Sequence, residues 1–252
     1  MNKISVIIPT LQKNKDLLVN LLHALNQDKG VDEIIVIDNS LKGIDENIEK
    51  LKVIKPSENM FVNPSWNYGV KIAKNNFIAL LNDDITISPN FCSNVASKMT
   101  PDMGIAGFNI NYVEINENIV PQPQDSEIFL EKINFRPDHF GIAMFFYKSS
   151  YIEIPEGLKI HFGDDWLLLK NKELKRQNYV ISGQKIYHFS SLTVKTIPSK
   201  IFKKERKIYK KHTLKWYQYI FDIEKRYEGY RIRLFGINSK LIPYKKGDIC
   251  QK

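Results

Sequence analysis

Cysteine is nearly absent from this chain, and the little present cannot organise it. Cys92 and Cys250 are the only two among 252 residues, and they form no CxxC pair. That argues against a disulfide framework and against a cysteine zinc site. Long apolar runs are missing as well. No stretch approaches the ~18 consecutive apolar residues of a membrane-spanning helix. The first apolar run, Ile4 to Ile8, is too short for the core of a secretory signal, and no cleavage pattern follows it. Neither GxGxxG nor GxxxxGK followed by Ser or Thr occurs, so dinucleotide and P-loop readings lack support. Internal repeats and low-complexity linkers are also absent.

What is present is an ordinary globular composition, 43% hydrophobic and 26% charged, with an uneven charge distribution. Residues 199–252 hold 16 Lys/Arg against 5 Asp/Glu, a net +11, whereas residues 1–198 hold 21 against 23. A near-neutral body carries a basic tail, which suits an anionic partner. We expect two units, 1–198 and a basic, mainly helical extension over 199–252.

Along the body, strand and helix signals alternate. KISVIIP at 3–9 reads as a strand, Asn14 to Gln27 as an amphipathic helix, EIIVID at 33–38 as a strand, and Lys52 to Lys55 as a weaker one. Asn63-Pro64 can cap and open a helix running to Lys74, Phe77 to Leu81 is a buried strand, and Ser88-Pro89 can open another helix. This order predicts an α/β fold with a mostly parallel central sheet and helices on both faces. Residues 109–138 are polar, contain Pro121, Pro123 and Pro137, and read as a long loop, irregular hairpin or lid. Gly141 to Tyr147 reads as a strand and Asp164 to Gln177 as a helix. Tyr179 to Ser182 and Lys185 to Phe189 read as short strands, and Ser199 to Tyr227 as one or two basic helices.

The chemistry concentrates at strand ends. The apolar run Phe77 to Leu81 stops at Asn82-Asp83-Asp84; the first strand ends in Pro9-Thr10 and the second in Asp38. The carboxyl ends of strands are where open α/β sheets bind ligands. Paired carboxylates there suit a hard cation such as Mg²⁺ or Mn²⁺. Asp164-Asp165 and a late His188 between Tyr187 and Phe189 complete the set. Each also has a structural reading. Asp38 can end a strand and start a turn, and Asp164 and Asp165 can serve a helix N-terminus. His188, Trp66 and Tyr68 can be core, and Trp166 can stack on a sugar or simply pack.

Taken together, SVIIPT at 5–10, VIDNS at 36–40, NPSWNYGVKIA at 63–73, LLNDD at 80–84, HFGDDWLLL at 161–169 and His188 resemble the family 2 glycosyltransferases of GT-A fold, over residues 4 to about 190. The resemblance implies a nucleotide-sugar site in which Pro9 and Thr10 flank base and ribose and Asp38 accepts from a pyrimidine N3–H. Asn82 and Asp83 would lie by the ribose. The metal, Mn²⁺ or Mg²⁺, would be held by Asp84 with Asp83 and His188. Asn82 stands where a literal DxD has its first acid. Asp165 would be the general base and Asp164 a positioning residue, an assignment open to exchange.

The expected function is that of an inverting, metal-dependent glycosyltransferase. It would move a sugar from a UDP- or dTDP-sugar to a hydroxyl of a glycan or lipid-linked glycan, as in polysaccharide biosynthesis. A cytoplasmic location is expected, with peripheral contact to an anionic membrane through residues 199–228. Two alternatives remain: a catalytically degenerate GT-A domain that only binds nucleotide or sugar, and a basic-tail protein that binds nucleic acid or a membrane surface.

Overall fold

The structure, a computed structural model, describes residues 3–108, 122–135, 137, 140–189, 198–226, 229–235 and 237–244. The first half interleaves strands and helices: β1 (Ile4–Thr10), α1 (Lys15–Gln27), β2 (Val31–Asp38), β3 (Leu51–Ile54), α2 (Val62–Ile72), β4 (Phe77–Leu81), the short β5 (Ile85–Thr86) and α3 (Phe91–Lys98). There follow β6 (Ala106–Phe108), β7 (Phe129–Ile133), β8 (Ala143–Tyr147), α4 (Gly163–Glu173), β9 (Asn178–Ser182) and β10 (Tyr187–His188). The C-terminal part holds α5 (Ser199–Thr213), α6 (Trp216–Ile220), β11 (Phe221–Lys225), β12 (Gly229–Leu234), β13 (Ile237–Asn238) and β14 (Ile242–Pro243).

Eight strands form one twisted sheet in the order β3-β2-β1-β4-β8-β6-β9-β7. Parallel ladders join β3, β2, β1 and β4, and another joins β6 to β9, while β8 and β7 run against their neighbours. The sheet is mostly parallel, as the alternation of elements predicts. Its strands are apolar on both faces because both faces are covered. Val6, Ile8, Ile34 and Val36 pack with Leu18, Leu21, Leu22 and Leu25 of α1 and with Phe91 and Val95 of α3. The intervening Ile7, Ile35 and Ile37 pack on the opposite side with Trp66 and Val70 of α2 and Trp166 and Leu167 of α4. The period-two alternation of each strand thus divides its side chains between two cores.

Three expectations are corrected. Asn14 caps α1, its Oδ1 accepting from the Leu17 N–H at 3.1 Å, but Asn63, read as a cap, does not cap α2. That helix starts at Val62, behind a left-handed Phe61 (φ 67°), and the Asn63 carboxamide is spent on a distant loop. Within 109–138, residues 129–133 form β7, paired with β9 at the sheet edge. The lid reading of 109–138 falls mainly on 109–121, which lies outside the described residues. Finally, the extension is not mainly helical: its helices end at Ile220, and β11 to β14 form a second sheet. The residues responsible alternate with period two, FDIEK and YRIRL, which a helix cannot bury on one side. Among the described residues no helix is long and apolar enough to cross a membrane.

Candidate active site

Because β1 lies between β2 and β4, their C-terminal ends meet. Thr10 is the ladder partner of Asp38. The Thr10 hydroxyl donates to Asp83 Oδ2 at 2.5 Å and accepts from the Gln12 N–H at 2.8 Å. Three of the predicted residues are thus joined through Thr10. Burial pushes the Asp83 carboxyl up to about 6; the neighbouring charge of Asp84 adds to this, and the Thr10 hydroxyl opposes it.

Asp38 is fully buried and occupied by its own loop. Its Oδ1 accepts from the Ser40 N–H (3.0 Å) and hydroxyl (2.5 Å), and its Oδ2 from the Gly43 N–H (2.7 Å). Burial alone would raise its pKa. The bonds from Ser40, Gln12 and Gly43 outweigh burial and hold the carboxyl below its usual range. Asp38 therefore shapes the loop 38–43, the turn role that the sequence also allowed.

The late histidine is brought to the acid pair by a two-strand ladder. β10 runs antiparallel to β5, His188 opposite Ile85, and the Phe189 N–H donates to the Asp84 carbonyl at 2.9 Å. This pairing sets His188 Nε2 at 3.1 Å from Asp84 Oδ1, with both groups largely shielded from solvent. Adjacent ligands of an octahedral ion, each about 2.1 Å from the metal, lie about 3.0 Å apart, so the pair fits two positions of such a shell. Among the described residues no group of three or more His, Cys, Asp or Glu is arranged to hold a metal ion, so Asp84 and His188 stand as a pair without Asp83. An open set fits Mg²⁺-like ions, which keep several positions for phosphate and water.

The second acid pair opens α4, where Asp164 and Asp165 occupy the first turn. The approach to this helix is tightly built. Phe162 is left-handed (φ 66°), and Gly163 admits no side chain, since a Cβ would meet Asn63 Oδ1 and the Trp66 ring. Asn63 Nδ2 donates to the Leu158 and His161 carbonyls, both at 3.1 Å. From the other side, the Glu205 carboxylate of α5 accepts from the N–H groups of Lys159 (3.1 Å), Ile160 (3.3 Å) and His161 (2.7 Å). Glu205 is 2% exposed, the one buried residue of its helix. Phe162 stacks on Tyr209, centroids 5.0 Å apart, and leans on Phe202 at 5.2 Å. The loop 158–162 is therefore clamped between α2 and α5.

Burial separates the two acids: Asp165 is 4% exposed and Asp164 half-buried. Asp164 lies beside Gly141, whose Cβ position would be 3.5 Å from its Oδ2. The next residue, Ile142, accepts at its carbonyl from the Asn82 N–H at 2.9 Å, which links this acid to the Asn82–Asp84 turn. Pro9 is half-buried at the end of β1. Trp66 and Trp166 are both core residues. Trp166 Nε1 donates to the Ile152 and Glu153 carbonyls, which settles its open reading towards packing.

Asn63 and Glu205 escape a reading of the sequence as functional residues. Glu205 leaves one signal: it is the only acid in KKERKIYKK. Asn63 reads as a cap because its true partners lie about a hundred residues away.

Comparison with known proteins bears directly on this geometry. The family model described as glycosyl transferase family 2 matches residues 5–157, more than half the chain. The chain belongs to glycosyl transferase family 2. The matched segment ends before Asp164, Asp165 and His188, so for this family 2 chain those three rest on the geometry above. The TarS 1–349 structure from S. aureus in complex with UDP-GlcNAc has a TM-score of 0.55 and 19% identity, over 82% of this chain and 65% of that one. Another TarS 1–349 structure gives 0.52 and 18%, over 75% and 61%. These likenesses show a shared GT-A fold, and the chain spans less than two thirds of the TarS chains. No curated protein sequence matches the chain.

Proposed function

We propose that this protein is an inverting glycosyltransferase that moves a sugar from a nucleotide diphosphate donor, UDP- or dTDP-sugar, to a hydroxyl of a glycan or lipid-linked glycan. The observation that carries the reading is the meeting of Thr10, Asp83, Asp84 and His188 at the carboxyl edge of one sheet. The α4 acid pair joins that edge through Gly141–Ile142. A UDP-sugar in a relative of the same fold supports the choice of donor.

The roles follow from chemistry. Pro9, Thr10 and the Asp38 loop form the floor for base and ribose; Asp38 reaches an N3–H by releasing one of its loop bonds. Asn82 and Asp83 face the ribose and sugar side. Asp84 and His188, with Asp83 beside them, would hold Mn²⁺ or Mg²⁺, which would neutralise charge on the departing diphosphate. Asp165 takes the proton from the acceptor hydroxyl as its oxygen bonds to the anomeric carbon. The bond from that carbon to the diphosphate oxygen breaks on the opposite face, inverting the centre. The greater exposure of Asp164 and its link to Asn82 favour a second reading, with Asp164 as base and Asp165 as its support. Work at the cytoplasmic face of an anionic membrane, and not on nucleic acid, completes the proposal.

The test is a screen of nucleotide sugars for slow hydrolysis, with and without EDTA, which needs no acceptor. Hydrolysis of a UDP- or dTDP-sugar that stops in EDTA and in Asp84→Ala is the expected result. Nucleotide affinity unchanged by both treatments refutes the metal role. Absence of hydrolysis and of nucleotide binding refutes the transferase reading.

A further inference from the structure

The second sheet is built inside out. Its register sets Phe221 opposite Leu234, Ile223 opposite Ile232, Asp222 opposite Arg233 and Glu224 opposite Arg231, and Leu234 opposite Ile237 of β13. One face is therefore largely apolar, with Lys225 opposite Tyr230 at its far end, and the other charged. The charged face is the covered one. Arg233, 7% exposed, pairs with Asp222 Oδ2 at 2.5 Å and with Asn238 Oδ1 at 3.0 Å. Burial is the larger cause of a lowered pKa at Lys210 of α5, which also lies within the fields of Arg233 and Glu224; these lower and raise it respectively. The apolar face looks outward. Phe221, Ile223 and Leu234 are each about half exposed; Ile237 is 75% exposed, and the turn residue Phe235 79%. Trp216 of α6, 76% exposed, stands at the start of the same segment.

We propose that this outer face, with Phe235 at its tip and Trp216 at its side, docks the protein on an anionic lipid surface. The proposal rests on the membrane part of the function given above and not on the transfer chemistry. A contiguous exposed apolar patch marks an interaction surface. Its surroundings choose among occupants. Residues 199–252 carry a net +11, and Lys203, Lys204, Lys207 and Lys211 of α5 are exposed. A second copy meeting this face through its own would set two such segments against each other, at a cost in repulsion. Nucleic acid would meet the charge and find rings in Phe221, Phe235 and Trp216, but the aliphatic Ile223, Leu234 and Ile237 that make up the rest of the face gain nothing from bases or phosphates. Aliphatic side chains gain instead by entering the acyl boundary, with Trp and Tyr at headgroup level and lysines on acidic headgroups.

On this proposal the contact expected of residues 199–228 shifts from α5 to Trp216, Phe221 and Ile223 and extends to Ile237. The apolar side of α5 is already used, with Phe202, Ile208 and Tyr209 turned to the loop before α4 and the core behind it. The helix supplies charge and the sheet supplies the apolar contact.

Vesicle flotation with phosphatidylcholine alone and with added phosphatidylglycerol tests this, alongside the tryptophan emission of the full chain. Wild type is expected to float with the anionic vesicles and to shift its emission to the blue, since Trp216 is the exposed tryptophan. The triple variant Leu234→Ser, Phe235→Ser, Ile237→Ser should bind about tenfold or more weakly at every salt concentration. Charge reversal at Lys203, Lys207 and Lys211 should weaken binding chiefly at low salt, where exposed charges are least screened. Melting temperature and nucleotide binding report folding; should the triple variant fail them, Phe235→Ser alone is the deciding protein.

Equal flotation by wild type and the serine variants overturns the proposal. So does salt-sensitive retention on single-stranded nucleic acid without flotation. A concentration-dependent dimer lost in the serine variants, again without flotation, overturns it in favour of a second copy. Donor hydrolysis and nucleotide binding on the same preparations separate the two readings: hydrolysis without flotation defeats only this proposal, and flotation with neither hydrolysis nor nucleotide binding defeats only the transferase.

Discussion

In the central strands β1, β2, β4 and β8 of the eight-stranded sheet, neighbours such as Val6 and Ile7, or Val36 and Ile37, point to opposite faces and both are buried, while charge is confined to the strand ends. In the β11–β13 sheet the charge lies on the inner face and the apolar side chains lie outside. Both follow the same alternation. What differs is the cover: the large sheet has helices on either side, whereas the small one is covered on its charged face and open on the other. A strand covered by apolar helices keeps polar groups only where the chain leaves it, and there they can meet a ligand. A strand covered only on its charged face keeps its carboxylates inward to pair with arginines and leaves its apolar side free. On the readings proposed above, the active chemistry belongs to an edge of the first sheet and the docking surface to a face of the second.

The sharpest contrast comes from removing a carboxylate in each region. Asp165→Asn keeps shape but cannot take a proton, and it should lower transfer by ~10²–10⁴ with donor affinity within a fewfold of wild type. If Asp164→Asn is the inactive protein and Asp165→Asn transfers normally, the two roles exchange. If both are active, no base acts here. Asp222→Asn weakens the pair with Arg233 and should do the opposite, costing about 1–3 kcal/mol of stability with donor hydrolysis unchanged.

Apolar truncation reverses the ranking. Ile35→Ala in the large sheet leaves a cavity in a closed core and should cost about 2–5 kcal/mol in denaturant melts. Ile237→Ala on the outer face of the small sheet should stay within about 0.5 kcal/mol. A large cost at Ile237 would mean that this face is covered in the folded monomer, and the inside-out description would fail.

The same contrast explains what could be read from the sequence. β1, α1, β2 and β4 announce themselves because each strand is an unbroken apolar run stopped by polar residues. For the same reason Thr10, Asp38 and Asp83 could be named before their contacts were known. His188 was visible only as a residue type; the β5–β10 ladder that brings it to Asp84 is two residues long and leaves almost no local pattern. β11 and β12 were hidden by their composition. Lysines, arginines and aromatics continue from α5, so the change of period from helix to strand at Phe221 passes unnoticed unless alternation is counted residue by residue. Asn63 and Glu205 were illegible in principle, since their partners are backbone groups of a loop far away in sequence.

Glu205 ties the two regions together, and its removal should have an intermediate effect. Glu205→Ala leaves the N–H groups of Lys159, Ile160 and His161 without their acceptor. A cost of about 1–3 kcal/mol is expected, the range for bonds to a charged acceptor. Because the loop leads into Asp164 and Asp165, transfer should fall more than donor hydrolysis. Glu205→Gln, which keeps one acceptor oxygen, should recover part of both. If transfer and hydrolysis fall together in proportion to stability, the clamp is structural only.

The smallest effect, and the finest probe of the same joint, is the pH response of His161. Its ring is half-buried, edge-on to Phe202 at 5.1 Å, and faces Glu205 from α5 and Asp164 from α4. Burial disfavours the imidazolium and the two carboxylates favour it; burial wins, so the pKa lies below the ordinary histidine value of about 6.5. The unfolded chain therefore takes up a proton first as pH falls. This contribution to stability is complete above about 6.5, declines as pH drops from there towards the folded pKa, and is constant below it. His161→Phe should lack that decline, so the difference curve, wild type minus variant, should fall on acidification. Glu205→Gln takes away a favourable charge, lowers the folded pKa further, and should carry the decline to more acidic pH. A difference curve that is flat, or that rises on acidification, would show that the carboxylates outweigh burial and that the joint between body and extension is wetter than its packing indicates.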